Sequence, residues 1–189
     1  MSIEPRPAAS ILVVRDDTIL MARRSAGHRF MPNTLVFPGG AVDAADHHAR
    51  AGTPLSPRVH TRLARSAPHG LAHALAIAAA RELEEEVGLS LGTPPALGNL
   101  EYLCRAITPP DRSIRFDARF FIVDAAQATG TPAASAELED PAWYRVPEAL
   151  KSAIPDATRA VLGQFQRWLT QHDRDGPVPV LQDRVWKYE

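Results

Sequence analysis

The chain has 189 residues, 45% hydrophobic and 23% charged, a balance that fits one soluble domain with a real core. Its 21 Lys and Arg offset 22 Asp and Glu to a net charge of −1, so no field of one sign is available to gather nucleic acid or an anionic membrane. The single cysteine, Cys104, excludes an internal disulfide, and the longest apolar run, Leu71 to Ala80, is too short and too alanine-rich to span a bilayer. Glu4 and two prolines ahead of the first apolar run are unlike a secretory leader, which makes a cytoplasmic location the expectation.

Residues 1–8 read as a flexible tail, 9–175 as one mixed α/β domain, and 176–189 as an extended C-terminal tail. Ser10 to Val14 and Thr18 to Arg24 flank Asp16-Asp17 and predict a hairpin. Leu35-Val36-Phe37 predicts a short buried strand ending at Pro38-Gly39-Gly40, where glycine permits close backbone approach. Residues 44–70 are irregular, with room for a short helix at Arg58 to Arg65. Gly70 to Val87 predicts the strongest helix, with Ala76, Ala80, Leu83 and Val87 as its buried stripe and Gly88 as its C-cap. Leu97 to Ile107 and Ser113 to Val123 predict two strands around Thr108-Pro109-Pro110-Asp111. Within them Cys104 reads as a buried thiol, and Phe116, Phe120 and Phe121 as packing residues more than a stacking surface. A short strand at Ala142 to Val146, a helix start at Pro147 and an amphipathic helix over Pro155 to His172 complete the chain.

The chemistry concentrates at Glu82, Glu85 and Glu86. On a helix, positions i, i+3 and i+4 share a face, so these three carboxylates form one triangle of like charge. Oxygen donors suit a hard cation such as Mg²⁺, which fills its octahedron with water and substrate phosphate. A solvated acidic face is the ordinary reading of a Glu-rich helix; the residues around this one favour a site. Adjacent His47 and His48 point apart on most backbones and do not read as a metal site.

Gly40, five residues and Asp46, followed by Arg81-Glu82-Leu83-Glu84-Glu85-Glu86-Val87-Gly88-Leu89, resemble the Nudix hydrolase box. That box runs Gly, five residues, Glu, seven residues, then Arg-Glu-U-x-Glu-Glu-x-Gly-U, with U a bulky aliphatic. The second half matches at every defined position, and Phe37-Pro38-Gly39-Gly40 is the usual lead-in. Two departures stand out. Asp46 is one methylene shorter than Glu, and 34 residues, His47 to Ala80, occupy the seven-residue spacer. Loop-closure entropy grows only logarithmically with length, so an insert at about 47–70 still lets the halves meet; it reads equally as a lid or a surface excursion.

The segment Leu20-Met21-Ala22-Arg23-Arg24-Ser25, with Arg29, Asn33 and Phe37-Pro38-Gly39-Gly40 in register, is similar to the lead-in of the coenzyme A diphosphatase subgroup. The long spacer and Arg115 to Phe121 after the box resemble that subgroup too. The resemblance implies a Nudix-type α/β/α sandwich with a mixed β-sheet. It implies metal-dependent hydrolysis of a diphosphate in a nucleoside diphosphate derivative, with coenzyme A or acyl-coenzyme A giving 3′,5′-ADP and (acyl-)phosphopantetheine. Glu82, Glu85, Glu86 and the Gly40 carbonyl would then hold Mg²⁺ or Mn²⁺, Glu82 and Glu85 would act in catalysis, and Arg81 would orient the acids. Arg24, Arg29 and Gly39 would meet substrate phosphate, with Asp46, Glu137 and Glu139 as further candidates. ADP-ribose or another such derivative is the alternative substrate, and a nucleotide-sensing module without catalysis is the alternative of another class. Partners reduce to a small nucleotide-type molecule and, as family members often pair, a second copy in a homodimer.

Overall fold

The computed structural model describes residues 3–27, 31–68, 70–171 and 174–189. Its chain order is β1 (Arg6–Arg15), β2 (Thr18–Arg24), β3 (Leu35–Val36), β4 (Gly39–Ala41), α1 (Pro57–Ala64), α2 (Leu71–Val87), β5 (Leu89–Ser90), β6 (Glu101–Ile107), β7 (Phe116–Asp124), β8 (Thr129–Gly130), β9 (Leu138–Arg145), α3 (Val146–Ala149), α4 (Asp156–Thr170), β10 (Pro179–Gln182) and β11 (Val185–Tyr188). A 3₁₀ turn at Ala44–His47 follows β4. The main sheet runs β11-β10-β6-β7-β1-β2-β3, with β4 added on β1 and β9 on β2; β5 and β8 pair separately. It is mixed: β1 lies parallel to β7 and β10 parallel to β6, while the other pairs in it are antiparallel.

Two-residue alternation builds two cores, one on each face. Ala9, Ile11 and Val13 of β1, Leu20 and Ala22 of β2, and Phe121 and Val123 of β7 pack under α1 and α2. Leu12, Ile19, Met21, Phe120 and Ile122 point the other way, against Val161, Leu162 and Phe165 of α4. Helices thus cover both faces, in the expected α/β/α order. Alanines at 72, 74, 76, 78, 79 and 80 are all buried and let α2 lie close to the sheet. The expected stripe Ala76, Ala80, Leu83 and Val87 is buried throughout, and Gly88 closes the helix in the left-handed region at φ 72°. Cys104 is fully buried, and desolvation raises its pKa, which suits a packing thiol and not a nucleophile.

Both expected tails are shorter than the sequence suggested. β1 begins at Arg6 and pairs with Phe116 of β7 from that residue on, with Ala8 buried, so the stretch 1–8 is part strand. Residues 176–189 are a hairpin, β10–β11, that adds to the sheet edge through Val180↔Arg105. Buried Val178 and Val180 supply the apolar anchor there, too few residues to stand out as a periodic pattern. The strand expected at Ala142 to Val146 starts earlier, at Leu138, because Arg23 and Arg24 of β2 pair with Glu139 and Leu138.

Candidate active site

The long spacer does not separate the two halves of the motif. β4 pairs with β1 at Ala9↔Gly40 and Ser10↔Gly39, which places the glycine turn over the C-terminal half of α2. Glycine is required there by space: a Cβ on Gly39 would collide with Ser10 and the Ala9 carbonyl, and one on Gly40 with the Glu82 carboxylate. The Gly39 N–H donates to Glu86 Oε2 at 2.7 Å, tying turn to helix.

Arg81 organises what lies between. Its Nε and Nη2 donate to Asp46 Oδ1 and Oδ2 at 3.0 and 3.1 Å, Nη2 also to the Ala41 carbonyl at 3.1 Å. Nη1 bridges Glu82 Oε1 at 2.7 Å and Glu85 Oε2 at 3.0 Å. The guanidinium's five N–H donors therefore meet five acceptors. Its pKa is raised, chiefly by the bond to Asp46, so the charge is permanent. Asp46 is 2% exposed and also accepts the Asp43 N–H at 2.8 Å. The shorter acid is thus a buried clamp on Arg81, seated by the 3₁₀ turn that brings the backbone nearer.

The three glutamates have different surroundings. Glu86 is 8% exposed, and burial pushes its carboxyl up to about 8, helped by Glu82 and Glu137 and opposed by the Gly39 N–H and Arg24. Glu82 is raised as well, first by desolvation and then by Glu85 and Glu137, against the pull of Arg81. The Glu85 side chain is 60% exposed and stands at the open side. Among the described residues no three His, Cys, Asp or Glu side chains converge as a ready metal cage, because Arg81 draws Glu82 and Glu85 onto one nitrogen. The donor set still fits a divalent cation: an all-oxygen group whose two less exposed members are forced toward the neutral form, first by burial and then by neighbouring carboxylates.

Of the remaining candidates, Glu137 is brought into the electrostatic field of Glu82, Glu86 and Arg24. Glu139 is exposed on β9 opposite Arg23, and among the described residues it makes no hydrogen bond or ion pair with the cluster. Arg29 lies outside the described residues. Arg24, at the end of β2, is desolvated, which lowers its pKa against the opposing pull of Glu86 and Glu137. It also lines a cavity of about 390 Å³ on the α4 side of the sheet, walled by Phe37, Phe116, Phe120, Met31 and the start of α4. Phe120 and Phe121 are buried core residues, as expected, while half-buried Phe116 and the edge of Phe120 also border this open space. Even-numbered residues of β7 face α4, whose first residue, Asp156, borders the same cavity, and of these Phe116 and Ala118 are left partly uncovered. Ser10 and Met31 carried no signal for this cavity in the sequence.

A family model of the NUDIX domain matches residues 66–176. Over 43 residues the chain is 51% identical to "Putative nudix hydrolase 7" of Caenorhabditis elegans, a match spanning 22% of this chain and 15% of that relative's length. The crystal structure of a NUDIX hydrolase from Alicyclobacillus acidocaldarius superposes with a TM-score of 0.66 at 26% identity, covering 85% of this chain and 90% of that one. The NUDIX domain of Shewanella oneidensis NrtR, solved with ADP ribose, shares the fold at a TM-score of 0.54 and 14% identity, covering 88% and 90%.

Proposed function

The chain belongs to the Nudix family, whose members are pyrophosphohydrolases acting on nucleoside diphosphate derivatives with divalent metals, and from that premise we propose that it hydrolyses the diphosphate of such a derivative, with coenzyme A or acyl-coenzyme A as the substrate. The observation that carries the reading is buried Glu86 and half-buried Glu82 packed on the Gly39–Gly40 turn, next to a cavity that shares Arg24 with them.

Glu82, Glu85 and Glu86 would hold Mg²⁺ or Mn²⁺, with the Gly40 carbonyl as a further donor. The metal would supply a water ionised near neutral pH and neutralise charge on the diphosphate. Arg81 fixes the rotamers of Glu82 and Glu85 and presents no spare N–H to substrate. The Gly39 N–H orients Glu86. Arg24 would bind diphosphate oxygens bidentately, and Glu82 or Glu137 would take the proton of the attacking water. Attack at phosphorus breaks one P–O bond and leaves the bridging oxygen on the departing phosphate. The aromatic cavity would take the organic portion of the substrate.

The test is product formation from coenzyme A, acyl-coenzyme A, ADP-ribose and dinucleotide polyphosphates with Mg²⁺ or Mn²⁺, ranked by kcat/KM. Coenzyme A leading, with turnover falling by orders of magnitude in Glu85→Gln at unchanged Tm, is the expected result. Near-wild-type turnover in that variant refutes the assigned site, and ADP-ribose leading refutes the substrate.

A further inference from the structure

A second cleft, of about 230 Å³, lies between α1, α4 and the C-terminal hairpin, lined by Arg62, Gln164, Trp168, Gln171, Arg174 and Tyr188 among others. None of these residues belongs to the acidic site or its cavity. Arg62 is 7% exposed, and its Nη1 donates to the Tyr102 carbonyl at 2.6 Å, yet its buried Nε has no acceptor. The Arg174 guanidinium lies over the Trp168 ring, 3.4 Å from its centre, and its buried Nη1 is likewise unpartnered. Gln164 adds a third polar side chain, 4% exposed.

Charge sharpens the point. Among the described residues no carboxylate pairs with Arg62 or Arg174, because the neighbouring Glu101 is taken by Arg58. Burial lowers the pKa of Arg62, and Arg58 and Arg65 push the same way, while Tyr102 and Glu101 resist. A buried cation with an idle N–H is costly unless something anionic meets it. Guanidinium offers donors only, in a planar fork that matches oxyanions, and the Trp168 face holds one of the two forks in place.

We propose that this cleft is a binding site for a small oxyanion, a phosphate or a carboxylate group, clamped between Arg62 and Arg174. Such a ligand would bridge Arg62 of α1 to Arg174, ahead of β10. Trp168 makes the site readable. Inorganic phosphate, and separately succinate, are titrated into the full chain at constant ionic strength set with KCl, following tryptophan emission. Saturable change with at least one of the two probes is expected, absent in Trp168→Phe and unaffected by Glu85→Gln. Arg174→Met should raise the half-saturating concentration about tenfold or more. Arg62→Met should do the same, and Arg174→Met keeps the test valid if loss of the Tyr102 contact unfolds that variant. No saturation beyond the KCl control with either probe, or an Arg174→Met protein that titrates like wild type, overturns the proposal.

Discussion

Arg81 has no idle donor: two carboxylate oxygens of Asp46, one each of Glu82 and Glu85, and the Ala41 carbonyl take all five. Lysine keeps the charge but offers three donors from one point, so Arg81→Lys would leave buried Asp46 partly unpaired. We expect a stability loss of about 2–4 kcal/mol and turnover lower by about 10²-fold, since the acids would lose their rotamers. Denaturant melts and steady-state kinetics on one preparation check both; activity lost without stability would remove Arg81 from its structural role. Glu86 gives a prediction of opposite sign. Its folded pKa, about 8, lies above the unfolded value near 4.5, so the unfolded chain binds fewer protons between those values. Any stability tied to this group is complete below the unfolded pKa and declines as pH rises through the folded one. In chelator, Glu86→Gln should therefore melt higher than wild type at pH 8 and little differently at pH 4.5, Gln Oε1 still accepting the Gly39 N–H, while turnover collapses. A gap that does not widen with pH would contradict the burial of that carboxyl.

Two glycines of the motif are needed for unlike reasons, and substitution separates them. Gly88 ends α2 at φ 72°, where an added Cβ meets only ordinary contacts no closer than 3.5 Å. Gly88→Ala should cost about 1 kcal/mol of backbone strain and leave kinetics nearly untouched. Gly40 is not in the left-handed region; its Cβ would be driven into Glu82. Gly40→Ala should lower turnover by about 10²-fold with a smaller effect on Tm, and the reverse ranking would mean the turn does not set Glu82. At this scale much was legible in the amino-acid order. The span of α2, its buried stripe, its C-cap and the hairpin at Asp16-Asp17 follow from local periodicity and turn chemistry. What was not legible depends on distant partners. Asp46 finds Arg81 across 35 positions, and Phe116 borders a cavity only because of where α4 begins.

For the molecule as a whole, β10–β11 closes one edge of the sheet and carries the Glu189 side chain to Arg105 at 2.9 Å and to Ser66. Asp117 holds Arg105 and Arg119 from the other side, at 2.6 and 2.7 Å. Deleting residues 176–189 would expose the β6 edge and take the Glu189 carboxylate from half-buried Arg105. Thermal melts should show a fall of several degrees or more, each kcal/mol being worth about 2–4 °C in a chain of this size; a shift within error would make the hairpin dispensable. The opposite edge of β1 is organised differently. It meets β4 at Ala8–Ser10 and β2 only at Val14–Arg15, with the Ile11 N–H bonded to Pro38 in the interval. That strand border is forked. The prongs rejoin further out, where Leu35 and Val36 of β3 pair with Arg23 and Ala22 of β2, so a push on the glycine turn reaches the β2–β9 wall through Phe37 and Pro38 and not along β1.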